Sequence, residues 1–328
     1  PHPHSPTPSD PANPPQAGTP TSLAWLHTQS GEPKGAGMAL TVGTGPFAPD
    51  SAGSFNFDLP QGNQILFHPI QPRVRGEFNG EVIVDSRSAK LLHETGILPV
   101  WYFPREDVRF DLLQPTEHQT FCPFKGNASY WSVVVGDRVA KNAVWAYPEP
   151  LDTAPDGLAD HVAFYFDRLD RWFEEGEERL GHPRDPFHRI DVLPSSSRVR
   201  VLIDGEELAA GEDVAVLFET GLPQRYYFHP DDVNWNALEP LDGLRTRCAY
   251  KGVADEWFTA RAGGREHRGI AWRYADPVPE LVSVAGRIAF FNERVDIEVD
   301  GELIEREPSP FASEDWVDEA LAAAPSVR

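Results

Sequence analysis

The sequence predicts a mostly β protein: two homologous compact β domains in tandem, related by a pseudo-twofold axis, with few short helices. Three observations carry this. Proline (32) and glycine (26) together make close to 18% of 328 residues, too many for a helical bundle and normal for short strands joined by turns. Apolar residues alternate with period two in stretches such as YWSVVV, as in half-buried strands. The chain also repeats itself at an offset of 125 residues, and a repeat of that length redefines the whole fold.

The elements follow in order. Residues 1–37 are mostly Pro, Ser, Thr, Gly and Ala; they carry too little apolar surface to offset their ordering entropy and are expected to be a disordered extension. Met38 is the sole methionine and reads as the natural start, followed by an arm over 38–72. The first copy spans 73–170. In it, Asn79-Gly80 between two Val- and Phe-rich runs predicts a type I′ hairpin. VWYFP is a strand, and YWSVVVGDRVAKNAVWAY is a second hairpin about Gly136-Asp137, with Trp131, Val133 and Val135 on one face. HVAFYF closes the domain. A linker over 171–197 leads to the second copy, 198–304, where Asp204-Gly205, Glu219-Thr220-Gly221, Cys248-x-x-Lys251-Gly252, Trp257 and Trp272-x-Tyr274 match Asn79-Gly80, Glu94-Thr95-Gly96, Cys122-x-x-Lys125-Gly126, Trp131 and Trp145-x-Tyr147. The tail, 305–328, holds one helix, SEDWVDEALAAA, with Ser313 as its N-cap.

Composition excludes several classes. With 51 acidic against 29 basic side chains the formal charge is −22, which repels phosphate and argues against nucleic acid or an anionic membrane as partner. Two cysteines give neither a disulfide framework nor a C-x-x-C zinc knuckle. No apolar run is long enough to span a bilayer. A cytoplasmic protein is expected, a monomer with an internal pseudo-dimer or a weak homo-oligomer, with no cofactor and no metal.

EVIVDS, ETG, YFPREDVRFDLL, CPFKGNASYWSV, NAVWAYPEP and VAFYFDRLD resemble the small bacterial domain of unknown function 427 family. LFETGLP, CAYKG and IAFFNERVD resemble it again in the second copy. The resemblance implies a compact, mostly β domain occurring singly or in tandem, and no established activity. A nucleotidyltransferase label attached to the family requires a Gly-Ser turn followed by paired carboxylates holding Mg²⁺, a constellation this sequence lacks.

The leading candidate for chemistry is C-x-x-K-G. Both cysteines and two of only five lysines fall at equivalent places, and a lysine beside a thiol favours the thiolate nucleophile. Against this stands the plainer reading of a small buried Cys and a Lys-Gly turn. Copy one surrounds its string with Asp111, His118, Tyr130 and Trp131, where copy two has Asn236, Gly243, Glu256 and Trp257, so general acid/base work belongs in copy one. The candidate catalytic set is therefore Cys122, Lys125, His118, Tyr130 and Asp111. The candidate ligand-binding set is Glu94, Trp131, Lys251 and Cys248. Glu94 and Glu219 are expected to accept bonds from nearby backbone N–H groups while the following glycine supplies positive φ. Trp101, Tyr102, Trp145 and Tyr147 either line a pocket or fill the core. In the linker, His182, Asp185 and His188 have metal-ligand chemistry, but Pro183 and Pro186 deny them a common helix face; docking of the two domains through Arg184 and Arg189 is the stronger reading. An enzyme acting on a small polar metabolite in copy one, a non-catalytic small-molecule binding module and a structural or interaction protein remain the three functional classes.

Overall fold

A computed structural model describes residue 56, residues 63–306 and residues 312–323. The expected disordered extension, 1–37, and the proposed start at Met38 lie outside these residues. The first repeat contains β1 (Ile65–Pro69), β2 (Val74–Phe78), β3 (Glu81–Ser86), β4 (Lys90–Glu94), β5 (Ile97–Pro104), β6 (Leu113–Cys122), β7 (Gly126–Val135), β8 (Arg138–Ala146), β9 (His161–Phe164), β10 (Arg171–Glu174) and β11 (Glu177–Arg179). The second contains β12 (Ile190–Ser195), β13 (Val199–Ile203), β14 (Glu206–Gly211), β15 (Val214–Glu219), β16 (Arg225–Phe228), β17 (Leu238–Pro240), β18 (Thr246–Cys248), β19 (Gly252–Ala254), β20 (Glu256–Ala262), β21 (Arg265–Arg273), β22 (Ile288–Phe290), β23 (Asp296–Val299) and β24 (Glu302–Ile304). Helix α1 (Asp315–Ala323) follows, its Asp315 N–H donating to Ser313 Oγ at 3.4 Å.

Among the described residues each repeat pairs a seven-stranded sheet with a four-stranded one. The orders are β1-β4-β5-β9-β8-β7-β6 with β11-β10-β2-β3, and β12-β15-β16-β22-β21-β20-β17 with β14-β13-β23-β24. The sheets reach past the 73–170 span on both sides: β1 pairs with β4 through Ile65↔Glu94 to Pro69↔Lys90, and β10 pairs with β2 and β11. The Asn79-Gly80 and Asp204-Gly205 turns have positive φ at both residues (50° and 80°, 49° and 83°), which is the type I′ signature. No helix among the described residues is long and apolar enough to cross a membrane.

Period-two alternation sorts the side chains of the large sheet into two groups. Trp101, Phe103, Val133, Val144, Val162 and Phe164 face the small sheet and pack with Phe78, Ile83 and Trp172. Tyr102, Tyr130, Ala163 and, beyond the strand end, Tyr147 lie in a second cluster with Leu92, Ala128 and Leu158. Repeat two builds the same second face from Tyr227, Trp257, Trp272, Tyr274 and Phe291. There α1 covers it, with the Trp316 ring 5.2 Å from Trp257 and 5.5 Å from Phe291.

One expected equivalence shifts. Trp257 sits opposite Trp272 as Tyr130 sits opposite Trp145. Trp131, packed edge-on against Phe110, corresponds to Phe258, packed edge-on against Trp235. Asp255, an extra residue between β19 and β20, moves the register by one, and one residue of slip exchanges the two faces of a strand.

Candidate functional site

The second face of repeat one gathers the polar residues. Glu94 ends β4, and Lys125 sits in the turn between β6 and β7. Their carboxylate and ammonium meet in a buried ion pair through Glu94 Oε2, and Asn63 Nδ2 donates to Glu94 Oε1 at 2.9 Å. The Lys125 ammonium also lies 5.8 Å from the centre of the Tyr147 ring. Cys122 packs at the edge of the same cluster, and neither cysteine forms a disulfide. Burial pushes the Tyr102 and Tyr147 hydroxyls up, well above the ordinary phenol range, so both stay protonated.

Repeat two carries the same centre. Lys251 Nζ lies 2.5 Å from Glu219 Oε2, and His188 Nε2 lies 3.1 Å from Glu219 Oε1. His188 thus takes the place of Asn63, one repeat length on. Burial pushes the Glu219 carboxyl up, but Lys251 and His188 outweigh it and hold it down at about 2. Burial likewise disfavours the Lys251 ammonium, yet negative charge on the nearby Cys248 sulfur and the Glu219 carboxylate holds its pKa above the usual lysine range.

Each residue of the Glu-Thr-Gly string has a separate task. Glutamate forms the ion pair. Threonine pins the preceding strand: Gln64 N–H donates to Thr95 Oγ1 at 2.9 Å, and Arg189 N–H to Thr220 Oγ1 at 2.8 Å. Glycine takes positive φ, 76° at Gly96 and 74° at Gly221. Side chains reach both glutamate carboxylates: Asn63 and Lys125 at Glu94, His188 and Lys251 at Glu219. Gly126 and Gly252, after the two lysines, have φ of 101° and 103°. A Cβ there would meet Glu149 O at 3.2 Å or Val278 N at 3.3 Å, so the glycine of the C-x-x-K-G string is a steric requirement.

The remaining candidates divide. His118 and Tyr130 come together, their ring centres 4.4 Å apart. Tyr130 OH is 2.8 Å from Thr120 Oγ1. His118 is solvent-exposed, the last of three residues, 116–118, that bulge out of the pairing between Pro115 and Gln119. Trp131 does not join the site. It follows Tyr130, so its side chain points to the opposite face, against the inter-sheet core. Asp111 also falls away: it is exposed beside Phe110, and Arg109 holds it in a two-pronged ion pair at 2.7 and 2.8 Å that keeps its carboxyl below the usual range.

In the linker, His182, Asp185 and His188 diverge. His182 Nδ1 lies 2.7 Å from Pro183 O, His188 joins Glu219, and Asp185 faces His93 at 3.6 Å. Among the described residues no group of three or more His, Cys, Asp or Glu side chains is arranged to hold a metal. Arg184 docks on repeat two, donating to Ala249 O at 2.7 Å and to Glu280 at 3.0 Å, whereas Arg189 pairs with Asp191.

A pocket of about 400 Å³ opens beside the repeat-one ion pair, within the usual range for small-molecule sites. Asn63, Gln64 and Ile65 form one side, and Phe124 with residues 153–155 the other. Asn63 therefore both lines the pocket and holds Glu94. Its role was hidden in the sequence because it precedes the recognisable repeat; the only trace is that His188 stands 125 positions later. At the equivalent place in repeat two, Tyr250 replaces Phe124 and is covered by the linker. His188 stacks on its ring at 3.8 Å, His182 packs edge-on at 5.6 Å, and Asp185 N–H donates to Tyr250 OH at 2.7 Å.

A protein-family model described as a domain of unknown function (DUF427) matches residues 66–175 and again residues 191–301. No curated protein matches the chain.

Proposed function

We propose that this chain, which belongs to the DUF427 family and carries its domain twice, is a small-molecule binding protein whose working site lies in repeat one. The observation that carries this reading is the pocket beside Glu94 and Lys125, bounded by Asn63, Phe124 and Thr153. Its named polar side chains are amides and a hydroxyl, and the neighbouring ion pair is internally neutralised. A small polar metabolite with hydroxyl or amide groups and no large net charge fits such a lining. Repeat two keeps the ion pair, but its equivalent aromatic, Tyr250, is engaged by the chain's own linker, so we assign it a supporting role.

Catalysis is the second reading, favoured by one observation: Cys122 packs on the cluster that holds Tyr102 and Tyr147, and the Lys125 ammonium lies 5.8 Å from the Tyr147 ring. On an electrophilic ligand the Cys122 sulfur would be the nucleophile, with Tyr130 of the same cluster and the adjoining His118 as proton carriers. Two thiols outside any disulfide suit a reducing cytoplasm.

The test is a thermal-shift screen of small polar metabolites against the wild-type chain and against Ala154→Phe, which fills the pocket. A hit that stabilises the wild type and not the filled variant supports binding at this place, and a hit that stabilises both equally argues against it. Cys122→Ser then separates the readings: if turnover of the hit is lost while affinity is kept, the thiol is catalytic.

A further inference from the structure

His68 on β1 and His93 on β4 lie diagonally across an antiparallel pair, in which His93 is opposite Leu66. Their rings are nearly parallel at 11° with centres 5.2 Å apart, and their Nε2 atoms are 3.1 Å apart. Those two distances together place the rings edge to edge, in the geometry of an N–H···N hydrogen bond. His68 Nδ1 lies 3.0 Å from Pro69 O, so the His68 proton belongs there and its Nε2 accepts. His93 must then donate from Nε2, which leaves its Nδ1 without a proton. That atom has no hydrogen-bond partner. It is fully out of solvent and faces the Asp185 carboxylate at 3.6 Å.

Asp185 does not belong to repeat one. Its own N–H is bonded to Tyr250 of repeat two, and its neighbour Arg184 is bonded to Ala249 O. Phe187, two residues on, packs on both imidazoles with ring centres 5.6 Å away. The segment from Arg184 to Phe187 therefore grips both repeats, and the bare nitrogen of His93 sits at the grip.

We propose that His68, His93 and Asp185 form a proton-responsive clasp: a proton taken up on His93 Nδ1 releases the linker from repeat one. In the docked state the added charge would be sealed from water, between the His68 imidazole and a carboxylate 3.6 Å away, too distant for a hydrogen bond. In the released state the same imidazolium is hydrated. Among the described residues the groups facing His93 are His68 from β1, Asp185 from the linker and the apolar ring of Phe187. In keeping with this, burial depresses the His93 pKa, with Asp185 opposing and His68 adding to the depression. A group with a lower pKa when docked than when released makes docking strongest above the released value, near 6.5, and weakens it as the pH falls toward the docked value. The clasp would operate whether or not the repeat-one pocket binds a ligand.

Repeat two supplies the control. The positions equivalent to His68 and His93 are Leu193 and Phe218, so the same strands carry apolar side chains there. The experiment measures hydrogen exchange at the amides of Phe187, which donates to the Asp185 carboxylate, and His188 in the full chain at pH 7.5 and pH 5.5, corrected for intrinsic exchange. Wild type is expected to lose protection at least about threefold on acidification. The double variant His68→Leu/His93→Phe, which borrows the side chains of repeat two, is expected to lose most of this pH dependence, while His182→Gln, removing a buried imidazole of the linker, retains it. Unchanged protection in wild type, or an undiminished acid response in the double variant, overturns the clasp. If the double variant does not fold, the His93 ring nitrogens are titrated by NMR in wild type and in Arg184→Ala: a rise of the His93 pKa on loosening the linker supports the proposal, and no movement refutes it.

Discussion

Glu94 and Lys125, 31 positions apart in sequence, form an ion pair almost wholly out of water, and Glu219 and Lys251 form its counterpart in the second repeat. Taking two charges from water is costly, so a buried pair is weak evidence for stability as such. Breaking it is another matter, because the surviving charge is left buried and unpaired.

Lys125→Met is therefore expected to destabilise the chain by about 3–5 kcal/mol, and Glu94→Leu combined with Lys125→Met to recover most of that loss. Urea unfolding monitored by Trp fluorescence checks this. A single variant as stable as wild type would show that the pair is more hydrated than its burial indicates.

Acid should dismantle the second pair late. The Glu219 pKa is held at about 2, below its ordinary value of 4.5. Its contribution is fully present above about pH 4.5 and is lost as the pH falls through that value toward 2, at most roughly 3 kcal/mol across the window. Unfolding midpoints of wild type and Glu219→Gln should therefore converge between pH 5 and pH 2.5. Parallel curves would contradict the assignment.

Two glycines separate conformational strain from crowding. Gly126 combines φ of 101° with a backbone oxygen 3.2 Å from where a Cβ would stand, whereas Gly80 at φ 80° has nothing within 4 Å. Gly126→Ala should cost about 1–3 kcal/mol, and Gly80→Ala less, by thermal unfolding. Equal costs would leave the close approach to Glu149 without consequence.

Much of the fold was legible because its signals are local. Asn79-Gly80, Glu-Thr-Gly and Lys-Gly each need a backbone conformation that few residues adopt, and the duplication displays each twice. The alternation that placed Trp131 with Val133 and Val135 already put Tyr130 on the other face, so the exclusion of Trp131 from the site was present in the pattern. What stayed hidden depends on distant partners. Nothing near Asn63 or His188 announces that each reaches a glutamate 31 residues on. Nothing around His93 shows that a linker carboxylate 92 positions later will face it. The one-residue insertion at Asp255 misled the alignment of Trp131 with Trp257, because identity of residue type outweighed parity of face.

In the proposed arrangement repeat one binds the ligand and repeat two supports it. Calorimetric titration of the chain with a ligand found in the metabolite screen tests this most directly, using Asn63→Leu and His188→Leu as partners to wild type. One equivalent is expected to bind per chain, with affinity lowered at least about tenfold by Asn63→Leu and kept in His188→Leu. Two equivalents per chain, or a loss confined to His188→Leu, would contradict it.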